Sequence, residues 1–232
     1  PPPTRPRRGP DPGSSRAPGR ELACSSVCGR FLLTSPGHVL AEQFSLSEPP
    51  AELHARYNIA PSQAVGTIDE AEATRRWIPR RWGLIPSWAK DPQIGNRLIN
   101  ARSETAAEKP SFRSAFRQRR CIVPADGFYE WGTGAESRRQ PHCFRLEEGD
   151  PMAIAGLWER WNAASGETIE TCTLLTTEAD GCVSAVHRRM PVLLDSRDYD
   201  AWLDPGLTDP ARLQELIAGC HPALACAAVG PH

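Results

Sequence analysis

No stretch of this sequence approaches the length of apolar run that a membrane-spanning helix needs, and none joins a charged start, an apolar middle and a small-residue cleavage site. Neither a spanning helix nor a secretory signal is expected, so the chain reads as soluble, cytoplasmic and not secreted. There is no CxxC pair, and the eight cysteines are spaced too irregularly for the disulfide framework of a small secreted domain. Reduced thiols are expected. Cys24 and Cys28 stand close together, yet no second Cys/His pair has zinc-ligand spacing, and the sequence offers no metal site. Internal repeats, heptads and a glycine-rich phosphate loop are also missing, which sets aside solenoids, coiled coils and P-loop enzymes and calls for no cofactor.

What is present suffices for one sizeable domain, since 232 residues with 40% hydrophobic content can bury a self-sufficient core. Residues 1 to about 22 are rich in Pro, Arg, Gly and Ser and nearly devoid of large apolar side chains. They read as a disordered tail that cannot offset the entropy of ordering. Beyond Cys28, short runs punctuated by Gly and Pro mark strands near residues 65–68, 76–79, 98–100, 121–123, 143–146, 153–158, 168–176 and 191–194. Helices are fewer: one ahead of Phe44, one after the Thr105-Ala-Ala-Glu108 capping-box pattern, one near residues 112–117, one from Ser196, and one over Pro210–Ala218. Asp209 caps the last, Pro210 suits its first position and Gly219 ends it. The reading is an α+β fold, a mostly antiparallel sheet or barrel core with several short helices.

The net charge of −1 hides an asymmetry. From Arg75 to Arg120 twelve Lys/Arg stand against Asp91, Glu104 and Glu108, a local excess of nine. Such a stretch either follows a phosphate backbone or forms a solvated, arginine-rich surface. Trp77, Trp82 and Trp88 lie within it; exposed, they offer bases a stacking face, and buried, they fill a core.

Gly127-Phe-Tyr-Glu130-Trp131 sets a carboxylate in a strongly apolar segment. If buried, Glu130 keeps a raised pKa and can donate and retrieve a proton near neutrality; if not, it is a strand glutamate facing solvent or an arginine. His187 follows the short apolar stretch 183–186 and precedes Arg188 and Arg189, where an imidazole can meet a sugar hydroxyl beside phosphate-binding guanidiniums, or simply sit at the surface. Asn100, between Ile99 and Ala101, can orient an amine or cap a strand end.

Seven segments together resemble the SOS-response-associated peptidase (SRAP) family, also called abasic-site processing proteins. They are Cys28-Gly-Arg-Phe31, Tyr57-Asn-Ile-Ala-Pro61, Arg81-Trp-Gly-Leu-Ile-Pro86-Ser-Trp88, Ile99-Asn-Ala-Arg102-Ser-Glu-Thr105, Ala125-Asp-Gly-Phe-Tyr-Glu130-Trp, Ala155-Gly-Leu-Trp158 and His187-Arg-Arg-Met-Pro191. None is specific alone; seven in family order are. The resemblance implies a monomeric DNA-damage-response sensor that captures abasic sites in single-stranded DNA and has no membrane partner. In it Cys28 supplies an α-amine for a Schiff base and a thiol that closes a thiazolidine. Asn100 positions the amine, Glu130 shuttles protons and His187 assists sugar ring opening. Arg30 and Arg102 resemble phosphate clamps, while Trp82, Trp88 and Pro61 are candidates for wedging or stacking bases. An α-amine and a thiol both titrate close enough to neutrality for a useful fraction of each to be unprotonated. The family's peptidase name implies a second use of the same groups, removal of whatever precedes the cysteine.

The sequence departs from the family pattern at both ends. Family members carry the cysteine directly after the initiator methionine, whereas Val27 precedes Cys28 here. Three readings stay open: Val27 is itself the start, from a valine codon read as methionine; the Val27–Cys28 bond is cut by the protein; or neither occurs and the domain merely binds DNA. The expected division is a leader over residues 1–27 and a single SRAP domain over residues 28–232, with a C-terminal end shorter than the family's.

Overall fold

In the computed structural model, which describes residues 28–133, 139–219 and 222–230, short strands dominate and helices fill the connections. The leader expected over residues 1–27 lies outside those residues. The first half of the chain runs through β1 (Arg30–Leu33), α1 (Gly37–Phe44), β2 (Arg56–Ile59), β3 (Ala64–Ala71), β4 (Thr74–Trp82), β5 (Asn100–Arg102), α2 (Ser103–Ala106), α3 (Arg113–Gln118) and β6 (Arg120–Ala125). The second runs through β7 (Gly127–Thr133), β8 (Arg139–Leu146), β9 (Met152–Asn162), β10 (Thr168–Glu178), α4 (Gly181–Ser184), β11 (Arg189–Pro191), β12 (Leu193–Leu194), α5 (Tyr199–Leu203), α6 (Pro210–Ala218) and β13 (Leu224–Ala228). The fold is α+β.

Five strands close into a barrel. β4 pairs with β3, β3 with β6, β6 with β9 and β9 with β10, all antiparallel, and β10 returns to β4 in parallel through Thr171 opposite Arg81 and Cys172 opposite Trp82. Closure leaves these strands no open edge, and β10 extends past the ring to pair with β5 and β11. β6 is buried along its whole length, as a strand with structure on both faces must be. Against the barrel lies a second sheet in the order β13-β8-β7-β1-β2. Its Phe31 meets barrel Trp82 with ring centroids 5.2 Å apart, and Phe128 stacks on Phe144 at 5.0 Å. One large apolar cluster therefore spans both sheets, worth about 25 cal/mol for each Å² of apolar surface withdrawn from water.

Helix α6 follows the sequence reading: Asp209 accepts from the Ala211 N–H at 2.9 Å, Pro210 opens the helix and Gly219 follows its end. The helix expected after the Thr105 to Glu108 pattern is corrected to the short α2, which ends at Ala106. There the Glu108 and Lys109 N–H groups both bond the Thr105 carbonyl, and Pro110 denies the residue before it the helical region. The strand expected over 191–194 is split at Val192, which bonds Leu175 on one side and Ala155 on the other. Among the described residues no helix is long and apolar enough to cross a membrane.

The arginine-rich stretch does not become a uniformly basic face. Arg80 is buried, donates to Asp69 Oδ2 at 2.6 Å and Glu170 Oε2 at 3.1 Å, and lies 4.2 Å from the Trp158 ring centroid. Arg75 pairs with Asp200 and Glu70, Arg76 with Asp69 and Arg119 with Glu159. Arg120 points inward to the carbonyls of Phe116, Arg117, Trp202 and Asp204. Asp69 and Glu70 stand just upstream of the stretch, while Glu159, Glu170 and Asp200 come from β9, β10 and α5, so the fold pairs part of the local excess of nine with acids outside it.

Candidate active site

The site forms where the second sheet meets the barrel. Cys28 precedes β1, and β1 pairs with β7 through Arg30 opposite Tyr129 and Phe31 opposite Phe128. Alternation along β7 turns Phe128 and Glu130 inward and leaves Tyr129 and Trp131 more exposed. Cys28 adopts a left-handed backbone with φ of 45°, which costs a residue bearing a Cβ roughly 1 kcal/mol. The backbone nitrogen of Cys28 donates to Glu130 Oε1 in a buried contact. In this chain that nitrogen is a peptide N–H following Val27.

Burial raises the Glu130 carboxyl above the ordinary carboxylate range, while the Cys28 N–H and nearby His187 pull it back. The Cys28 thiol is fully buried, and desolvation, reinforced by the Glu130 charge, pushes its pKa well up. That runs against the expectation that a useful fraction of this thiol is unprotonated near neutrality: removing its proton in place requires an acceptor beside it. His187 enters from the turn after α4, its N–H bonded to the Val183 carbonyl at 2.9 Å. Its Nδ1 lies 3.1 Å from the Arg189 nitrogen and 3.0 Å from the Arg189 carbonyl. A neutral ring accepts from the first and a protonated ring donates to the second, so one orientation serves both protonation states. Gly132, two residues beyond Glu130, lets this turn approach β7; a Cβ there would stand 3.2 Å from Val186 Cγ1.

Cys28, Glu130 and His187 are thus brought together. Asn100 is half-buried at the start of β5, opposite Leu174 of β10. Arg102, at the other end of β5, is exposed, and half-buried Arg30 donates to Asn58 Oδ1 at 2.9 Å. Pro61 is half-buried in the turn between β2 and β3, and Arg188 is exposed. Trp88 is 59% exposed and borders, with Lys90 and Arg97, a shallow cavity of about 460 Å³.

Two candidates are corrected. Trp82 is fully buried, bonds the Ile99 carbonyl through its indole N–H at 2.8 Å and packs on Phe31, so it cannot reach a base. Arg189 is engaged by Glu104, with Nη2 to Oε2 at 2.9 Å, and by the Thr176 carbonyl at 2.6 Å, which makes it a brace between α2, β10 and β11. Sequence reasoning did not single out Tyr57, 68% exposed, or Trp131, 36% exposed. For Trp131 the signal was a position outward in alternation on β7, whose Phe128 and Glu130 are buried; Tyr57 shares a strand face with buried Ile59, so alternation gave no such signal, and it is fixed through its carbonyl, which accepts from the Tyr129 hydroxyl at 3.0 Å.

A buried cysteine whose backbone nitrogen meets a carboxyl, with an imidazole nearby, thus sits where a closed barrel is flanked by a second sheet. The chain belongs to the SOS response associated peptidase (SRAP) family, whose profile matches residues 27–232. It is 44% identical over 193 residues to abasic site processing protein YoqW of Bacillus subtilis, covering 82% of this chain and 86% of that one. It is 33% identical over 248 residues to abasic site processing protein HMCES of Mus musculus, covering 84% and 69%. A crystal structure of a Bordetella bronchiseptica protein superimposes with a TM-score of 0.75 at 29% identity, covering 88% of this chain and all of that one.

Proposed function

We propose that this chain processes abasic sites in single-stranded DNA by capturing the opened sugar covalently at Cys28. The observation that carries the reading is the buried contact between the Cys28 nitrogen and Glu130, because the two steps of capture are amine chemistry followed by thiol chemistry. The Cys28 amine adds to the aldehyde to give a carbinolamine, and Glu130 in its protonated form donates the proton with which water leaves, giving the imine. The thiol then adds to the imine carbon as its proton passes to nitrogen, closing a thiazolidine. Ring closure within one residue gains roughly 7–11 kcal/mol over a bimolecular reaction when the geometry is favourable. His187 acts on the sugar ring and Asn100 on the amine. Exposed Arg102 and Arg188, with Arg30, meet phosphates, while Trp88 and Pro61 meet bases.

The chemistry requires a free α-amine, so the reactive form begins at Cys28, either by translation from Val27 followed by processing or by cleavage of the Val27–Cys28 bond. The same contact favours a peptidase step as a second use: Glu130 touches the nitrogen that would leave, and a carboxyl with raised pKa can protonate a departing amine. The domain would then span residues 28–232 and act as a monomer on DNA in the cytoplasm, with the preceding residues as a leader.

The test is an intact mass of the protein expressed from its native gene context, followed by incubation with an oligonucleotide carrying one abasic site. A mass beginning at Cys28 and a heat-stable adduct are expected. A mass retaining Val27 with no adduct reduces the chain to a noncatalytic DNA-binding module.

A further inference from the structure

The lesion chemistry leaves a second group of thiols unused. Cys182 lies in α4, five residues before His187, and Cys226 lies in β13, the outermost strand of the second sheet. The Cys182 thiol donates to the Leu224 carbonyl at 3.2 Å, and the Cys182 and Cys226 side chains are within hydrogen-bonding reach of each other. Register explains a third member: Cys226 sits opposite Phe144 of β8 and Ala228 opposite His142, so Cys226 and His142 are diagonal neighbours on one face. His142 Nδ1 stands 3.6 Å from Cys226 Sγ. Cys226 is exposed and Cys182 half-buried, whereas Cys28, Cys121 and Cys172 are fully buried.

We propose that Cys226 and Cys182 form a peroxide-sensitive dithiol, with His142 accepting the Cys226 proton. The Cys226 thiolate attacks the O–O bond of a hydroperoxide, giving a sulfenic acid and, for hydrogen peroxide, one water once a proton is supplied. The Cys182 sulfur then attacks the sulfenic sulfur; the S–S bond forms, the S–O bond breaks and a second water departs with the Cys182 proton. Two thiols are oxidised by two electrons and one peroxide is reduced. Exposure of one thiol and the reach of the second meet the geometric need of a resolving pair; partial burial and the neighbouring Cys182 and Cys143 push the Cys226 thiol up, so His142 beside it is the group that takes its proton. The product ties β13 to the helical turn that leads into His187, joining the edge of the second sheet to the candidate site.

The experiment needs no DNA, so its outcome is separate from the capture reading. The reduced full chain is treated with hydrogen peroxide, residual thiols are blocked, and the unreduced digest is mapped by mass spectrometry. The expected result is a peptide containing Cys182 joined to one containing Cys226, lighter by two hydrogens than the pair and separated by dithiothreitol. Cys182→Ser is expected to stop Cys226 at the sulfenic acid, trapped by dimedone, and His142→Ala to slow closure at least tenfold. Cys226 oxidised to sulfinic acid beside an unmodified Cys182, Cys226 joined to Cys143 instead, or both thiols unreacted would overturn the proposal; an unchanged rate in His142→Ala would overturn the role of His142.

Discussion

The backbone nitrogen of Cys28 donates to the carboxylate of Glu130 across 102 residues of sequence, and the contact is buried. It joins the entry to β1 with the third residue along the axis of β7 beyond Gly127, two strands that are hydrogen-bonded neighbours in the second sheet.

Glu130→Gln retains an acceptor for the Cys28 nitrogen but cannot carry a proton. Adduct formation with abasic DNA is expected to slow about 10²–10⁴-fold with single-strand binding unchanged, read from a denaturing-gel time course. In the chain that retains the Val27 peptide bond, burial raises the folded-state pKa of Glu130, so its contribution to stability is greatest at low pH and is lost as pH rises from the ordinary carboxylate value through the raised one. Glu130→Gln is therefore expected to gain melting temperature relative to the parent at pH 7 and not at pH 4.

Cys28→Ala should abolish the adduct and leave DNA binding intact, at a cost of about 1 kcal/mol from the lost buried sulfur. Arg102→Glu should weaken binding and capture together, roughly tenfold at low salt, and lessen the slope of log affinity against log salt by about 0.7. Equal losses of binding in the two variants would sink the division between nucleophile and phosphate contact.

Asp126 holds the end of β1: its carboxylate accepts from the Thr34 and Ser35 hydroxyls at 2.7 and 2.6 Å and from the Ser35 N–H at 2.7 Å. Although burial opposes charge, these bonds leave its pKa below the ordinary value. Its stabilisation is present above the unfolded pKa and lost as pH falls through the folded one. Asp126→Asn is expected to destabilise at pH 7 and to flatten the acid limb of a melting-temperature profile; an unchanged acid limb would contradict this.

Arg120 is a structural cation, its pKa drawn down to about 10 by burial as it donates to four carbonyls at the α3 and α5 ends. Arg120→Leu fills the space but leaves those carbonyls without donors, and a loss of about 3 kcal/mol is expected in urea unfolding. Arg113→Leu, at an exposed position in α3, serves as the comparison and should change little.

Much of the architecture was legible locally. Alternating and apolar runs marked β3, β4, β6, β8, β9 and β10, and the Asp209, Pro210 and Gly219 signals bounded α6 because capping is decided within one turn of chain. The hairpin joining β3 to β4 was not legible as such: its turn residues Glu72 and Ala73 both adopt positive φ, 52° and 55°, without the Asn-Gly signature that usually announces that geometry. Strand pairing across the barrel supplies the constraint instead. At the site, the sequence named Cys28, Glu130 and His187, since a cysteine, an apolar-flanked carboxylate and a histidine carry their chemistry with them.

By itself, then, the sequence determined most element types and the chemically competent side chains, which depend on neighbours a few residues away, and the family, which rests on seven segments in order along the chain. Tertiary structure decided what each of those side chains faces. Trp82 and Trp88 lie six residues apart in similar surroundings, yet closure of the barrel buries the first and leaves the second 59% exposed. Arg102 and Arg189 each have one polar and one apolar chain neighbour, but only Arg189 is folded against Glu104 and Thr176. Burial pushes the Glu130 carboxyl and the Cys28 thiol upward from their ordinary ranges, because desolvation depends on atoms that only the folded chain assembles.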